Sequence, residues 1–214
     1  MISRRDLLIT GALASVSTRL LAAPVYEAGK QYLIVDPAVA TPADSIEVVD
    51  FFAYTCPHCL RFAKLFEEWE EHLPEGVTVR KCPVAWDART VPFVKAYYAL
   101  ESLGKLKELH MPFFHAVIEQ TFEFTIQTAP EDIAKYMVAN GIKREDWDAA
   151  YNSFVVNSQA MQATQLWQSY GVDATPRVGV AGRYLTGPDL VGRLKDTTAC
   201  IDYLVDLVRK DRGR

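Results

Sequence analysis

The residues best suited to chemistry lie together in one tetrapeptide, Cys56-Pro57-His58-Cys59. Two thiols three positions apart on a helix sit about one turn from each other, close enough to form a small reversible disulfide. The placement matters more than the motif. Ile46 to Tyr54 (I-E-V-V-D-F-F-A-Y) is a nearly unbroken apolar run, as in a strand buried on both faces. Pro57 to Leu73 reads as a helix with Phe62, Leu65, Phe66, Trp69 and Leu73 on one stripe. Pro57 falls in the first turn, where a helix tolerates proline. Free backbone N–H groups and the positive end of the helix dipole stabilise an anion at that terminus. Cys56 is therefore the candidate nucleophile, Cys59 its redox partner and His58 a polar, partly cationic neighbour.

Other uses of two cysteines fit less well. A zinc half-site needs a second pair at similar spacing, but Cys82 and Cys200 stand alone. The histidines at 58, 72, 110 and 115 are scattered, so no metal is expected. A copper-delivery protein would want a wider cysteine spacing and a well-placed His or Met.

The elements that must hold this turn can be read outward from it. Pro74-Glu75-Gly76 is a stop signal, and Val77–Ala85 reads as a second strand, which makes a βαβ unit with parallel strands. Lys30–Val35 reads as a short edge strand. Residues 91–170 change texture, with helical stretches expected at Phe93–Leu106, Pro130–Ala139, Asp146–Val155 and Ser158–Tyr170. Strand texture returns at Arg177–Ala181 and Arg183–Thr186. A last helix, begun by Gly187-Pro188, carries Leu190, Leu194, Ile201, Leu204, Val205 and Val208 on one side. Thr175-Pro176 lies just before the first of those strands, where proline removes a donor and restricts the residue before it.

Composition bounds the answer. The chain has 214 residues, half of them apolar and 23% charged, which excludes a disordered or coiled-coil protein and suits one domain with an insertion. A net charge of −4 without a basic tract excludes a nucleic-acid footprint. No apolar run approaches the ~18 residues of a membrane span. Arg4 and Arg5, the weakly apolar Leu7–Ser17 and the small residues ending at Ala22 and Ala23 read as a signal peptide over residues 1–23. Ser3-Arg4-Arg5-x-Leu7-Leu8 resembles a twin-arginine export signal, with an ordinary secretory signal as the alternative. An exported, periplasmic protein is expected, in a compartment that permits disulfides.

Six features together resemble the DsbA family of periplasmic thiol oxidases: Gly29–Tyr32 (G-K-Q-Y), Asp50–Cys59 (D-F-F-A-Y-T-C-P-H-C), the helical insertion, Gly141–Val156, Thr175-Pro176 and the closing helix. The resemblance implies an α/β thioredoxin-like fold with a helical domain inserted between the βαβ unit and the cis-proline strand. Its parts would be residues 24–90, an insertion at 91–170, and 171–214. It implies a thiol–disulfide oxidoreductase that donates a Cys56–Cys59 disulfide to unfolded, newly exported proteins. Reoxidation would come from a quinone-linked membrane partner of the DsbB type. The protein would be a monomer, without a cofactor and without nucleic acid. Pro57 and His58 would complete the catalytic turn, and Thr175 and a cis Pro176 would contact substrate. Asp50 would be the buried acid beneath the site, with Lys81, or Arg80 at a shifted register, as its basic neighbour.

Two departures stand out. Thr175 occupies a position where many family members have valine and isomerase relatives have threonine. The chain also has four cysteines where many members have two. A disulfide isomerase would carry a dimerisation domain, for which the residues between Pro24 and the first strand leave no room; a dedicated reductase would hold a lower potential. For Cys82 and Cys200 two readings stay open: a structural disulfide between a central strand and the last helix, or two separate buried thiols acting as small hydrophobes.

Overall fold

A computed structural model of the protein describes residues 25–125 and 127–213; the expected signal peptide lies outside them. The apolar run after Ser45 forms strand β2 (Ile46–Phe52), the hub of a five-stranded sheet that also contains β1 (Tyr32–Ile34), β3 (Val77–Pro83), β4 (Arg177–Val180) and β5 (Tyr184–Thr186). The order is β1-β5-β4-β2-β3. Only the β2–β3 pair is parallel, and helix α1 (Pro57–Glu70) makes its crossover. The other neighbours run antiparallel.

Five helices fill the connection from β3 to β4: α2 (Val91–Ser102), α3 (Leu106–Ile118), α4 (Ala129–Ala139), α5 (Arg144–Tyr151) and α6 (Phe154–Ser169). After β5 come a short α7 (Pro188–Val191), a 3-10 turn and α8 (Thr197–Asp211). Side chains alternate across a strand, so the sheet has two separate cores. Val48, Val178 and Val180 pack with Phe62 and Phe66 of α1 and with Ile201, Leu204, Val205 and Val208 of α8. Val49 and Phe51 face the other way, into the core of the helical insertion.

Two helical stretches divide differently from the sequence expectation. The stretch expected at Phe93–Leu106 ends at Ser102, and a new helix, α3, begins beyond Gly104 (φ +68°). Pro112 inside α3 removes a hydrogen-bond donor and obscures the helix in the sequence; burial of Leu109, Phe113 and Phe114 outweighs that loss. The stretch expected at Asp146–Val155 is cut at Ser153. Its hydroxyl accepts the Val156 N–H at 3.1 Å and caps α6.

Two contacts tie the insertion to the sheet. Tyr170 lies on Gly179 of β4, where a Cβ would collide with its ring, and its hydroxyl accepts the Gly182 N–H at 3.0 Å. Tyr54, just beyond β2, shares a 2.7 Å hydrogen bond with Nδ1 of His110 on α3. Burial pushes the His110 pKa down to about 3, so the imidazole in this bond is neutral.

Candidate active site

Cys56 is the N-cap of α1, with extended backbone angles, and Pro57 follows as the first helical residue. The Cys59 N–H points at Cys56 Sγ from 3.4 Å. Cys56 Sγ also lies 3.3 Å from the carbonyl oxygen of Thr175, which brings the two distant motifs together. The Cys56 thiol is pushed down to about 5. The hydrogen bond from the Cys59 thiol does most; partial burial opposes it, and the Thr175 side chain and the backbone N–H groups of Cys59 and His58 add to it. Cys59 is buried, and desolvation drives its pKa far above that of a free thiol, assisted by the charge on Cys56. The two sulfurs thus share one helical turn with opposite tendencies: one ionises easily and is half-exposed, the other is covered and holds its proton.

His58 follows Pro57 in the first turn of α1. Its backbone N–H helps Cys56, but its ring turns outward, where Nδ1 lies 2.7 Å from Nη2 of Arg61. Arginine can only donate, so Nδ1 accepts and carries no proton. The ring is thus engaged by Arg61 on the exposed side of the turn. Nothing in the C-x-x-C spacing marks Arg61 in advance.

Thr175-Pro176 is a cis bond immediately before β4. The bond between Asp36 and Pro37 is also cis, at a loop the sequence analysis did not single out. Arg177, the next residue, is buried and pairs with Asp173 and Asp189; it too was not foreseen.

Asp50 pairs in register with Lys81 across the parallel strands. Lys81 nevertheless bonds Glu70 of α1 at 2.9 Å, while Asp50 Oδ1 is buried without a hydrogen-bond partner. Desolvation lifts the Asp50 carboxyl to about 7; Lys81 opposes that shift, and Glu70 and Glu67 reinforce it. Lys81 and Glu70 line a cleft of about 820 Å³ between α1, β3 and the insertion, so their ion pair borders open space. Glu67 and Glu70 were not foreseen, although both lie on the helix that starts at the dithiol.

Cys82 and Cys200 are not brought together, so of the two open readings the structure favours separate buried thiols over the bridge. Both are free thiols, on opposite sides of the sheet. Cys82 is opposite Phe51 in the strand register and so faces the insertion, with its sulfur 3.7 Å from the carbonyl of Ala163 on α6. Cys200 lies on α8 and faces the opposite side of the sheet, with its sulfur 3.5 Å from the Thr186 hydroxyl of β5. The last helix does pack on the sheet, but on the face that Cys82 turns away from.

Comparison with known proteins agrees with this architecture. Residues 75–199 match the profile of the DSBA-like thioredoxin domain. The thiol:disulfide interchange protein DsbA of Bordetella parapertussis is 33% identical over 205 residues, covering 93% of this chain and 95% of its own. The protein of the same name from Pseudomonas aeruginosa is 30% identical over 208 residues, covering 96% and 97%. The crystal structure of Pseudomonas aeruginosa DsbA has a TM-score of 0.81 to this chain at 28% identity, over 88% of this chain and 97% of that one. A dithiol at a helix start, a thioredoxin fold interrupted by a helical domain, and full-length relatives of one name place this chain in the DsbA family of thiol–disulfide oxidoreductases.

Proposed function

We propose that this oxidoreductase is a disulfide oxidase of newly exported proteins and that Cys56 and Cys59 carry its chemistry. The inequality of the two sulfurs supports this reading above all else. A low thiolate pKa at Cys56 stabilises the reduced protein, which makes its disulfide more oxidising. Allowing for solvent at the half-buried sulfur, the effect at pH 7 is on the order of 2 kcal/mol, or about 40 mV.

The resting form holds the Cys56–Cys59 disulfide. A client thiolate attacks Cys56 Sγ; the client–Cys56 bond forms, the Cys56–Cys59 bond breaks, and the electron pair leaves on Cys59, which takes up a proton. A second client thiol loses its proton and attacks the client sulfur of the mixed disulfide. The client disulfide forms and Cys56 leaves as a thiolate, a good leaving group because its pKa is low. The client has lost two electrons and the dithiol has gained them.

Thr175, whose carbonyl faces Cys56, presents backbone to which an extended client segment can add as a strand. Asp50 tunes the site: as a neutral acid it adds no charge beneath the dithiol, and as a carboxylate it disfavours the thiolate. Lys81 moderates that switch. The clients are unfolded chains, met by a monomer in the periplasm. The electrons pass on to a quinone-linked membrane reoxidase of the DsbB type. The basic-then-apolar N-terminal residues support export.

An equilibrium titration of the dithiol against glutathione tests the direction of transfer. A potential more oxidising than about −180 mV is expected; one near the −270 mV of thioredoxin would make the protein a reductase instead.

A further inference from the structure

The loop that carries Thr175 and Pro176 is bracketed by an ion pair of its own. Asp173 precedes it and Arg177 follows it. The Arg177 side chain is only 4% exposed, while the Asp173 and Asp189 side chains are 69% and 59% exposed. Nη2 and Nε of Arg177 donate to Asp173 Oδ1 at 2.9 and 3.2 Å, and Nη1 donates to Asp189 on α7. One buried guanidinium thus joins the entry to the loop, its exit and the neighbouring turn. Gly187 supplies a second brace. A Cβ there would lie 2.9 Å from the Pro176 carbonyl oxygen and 2.9 Å from Arg177 Nη1, so the turn before α7 rests directly on the loop. From the dithiol side, Thr175 O lies 3.3 Å from Cys56 Sγ.

Stability alone does not account for an arginine here. Burying a charge is costly, and an apolar side chain of similar volume stabilises as well or better. A guanidinium offers a rigid planar fork that fixes the directions of several bonds at once. We infer that Arg177 is a positioning residue for thiol exchange: bound to Asp173 and Asp189, it holds Thr175 at the distance from Cys56 that the exchange step requires. The inference rests on the proposed role of Thr175 and Cys56 and adds the group that holds one against the other.

The test compares wild type with R177K, D173N, D189N and G187A, each checked for native circular dichroism. Two quantities are read: the rate at which the oxidised protein oxidises a two-cysteine peptide, and the pH midpoint of the Cys56 thiolate absorbance in the reduced protein. R177K keeps the charge and loses the fork. It should slow peptide oxidation about tenfold, as expected when a reacting geometry loosens by a fraction of an ångström, and move the thiolate midpoint by at least ~0.5 unit. G187A keeps all three charged groups but presses on the Pro176 carbonyl, and should slow exchange as well. D173N and D189N alter only exposed partners and should each slow exchange about threefold, on the order of 0.6 kcal/mol. A folded R177K with wild-type rate and midpoint would overturn the inference. Should R177K not fold, wild-type behaviour in both D173N and D189N would overturn it equally. Failure of the wild-type protein itself to oxidise the peptide would instead strike at the proposed function.

Discussion

Cys59 and Cys82 are both buried, and burial raises the thiol pKa of each. Their surroundings nevertheless give them different chemistry. Cys59 lies one turn from a half-exposed sulfur at a helix start, so it can trade its proton and its bond with Cys56. Cys82 points from the edge strand β3 into the core of the helical insertion, where its sulfur lies 3.7 Å from the Ala163 carbonyl. Cys200, under the opposite face, is equally isolated from the dithiol. Reactivity here follows from the helix terminus and from access, not from the presence of a thiol.

The largest effect that could break this contrast is loss of turnover. Cys56→Ser should lower oxidation of a dithiol peptide to below about a thousandth of the wild-type rate. Cys82→Ala and Cys200→Ala should leave that rate alone, and measurable turnover in the Cys56 variant would remove the distinction. Titration sharpens the contrast next. In the reduced protein one thiolate should appear with a midpoint near pH 5, while the Cys82 thiol, pushed up to about 12, should stay protonated through neutrality. Alkylation of the oxidised, denatured, unreduced protein should label two cysteines; a count of zero would restore the Cys82–Cys200 bridge.

A smaller effect concerns the buried acid. The folded-state pKa of Asp50 is raised to about 7 from 3.8, so its contribution to stability is fully present below about pH 4 and is lost as pH rises through 7. Asp50→Asn removes that loss. Its stability relative to wild type, read from urea unfolding of the reduced protein, should grow between pH 4 and pH 8 by an amount on the order of 4 kcal/mol. A difference that stays flat with pH would mean that Asp50 does not titrate there. The smallest effect is expected at Arg61. Arg61→Ala frees the His58 ring, yet the backbone donors to Cys56 remain, so the dithiol potential should shift by no more than about 15 mV. A larger shift would show that Arg61 restrains His58 from acting on the thiolate.

Much of the site was legible because its signals are local. Cys56, Pro57 and Cys59 stand at a strand–helix boundary that hydrophobic periodicity reveals, whereas Asp50 and its basic neighbour, Lys81 or Arg80, came from the family resemblance, and the register of the two strands decides for Lys81. What stayed hidden depends on which side of an element a residue faces and on partners far along the chain. Lys81 could be placed opposite Asp50, but not its capture by Glu70. Cys82 could be placed on a strand, but one residue of register decides its face. Pro112 masked α3, and with it the His110–Tyr54 bond that ties the insertion to the end of β2. Arg177 reads as an ordinary strand residue until Asp173 and Asp189 are seen on either side of it.

The opposite tendencies of the two sulfurs also set a proton stoichiometry. Between pH 5 and the high pKa of Cys59, reduction of the disulfide takes up two electrons but only one proton, since Cys56 stays ionised. A client dithiol with ordinary thiols gives up two protons on oxidation below about pH 8.5. Each client disulfide therefore releases one net proton to solvent. The enzyme potential should fall by about 30 mV per pH unit and that of its client by about 59 mV. Across that window the exchange equilibrium moves about tenfold toward the oxidised client for each unit of rising pH. Acidification thus weakens the enzyme as an oxidant of such dithiols even as its own potential rises.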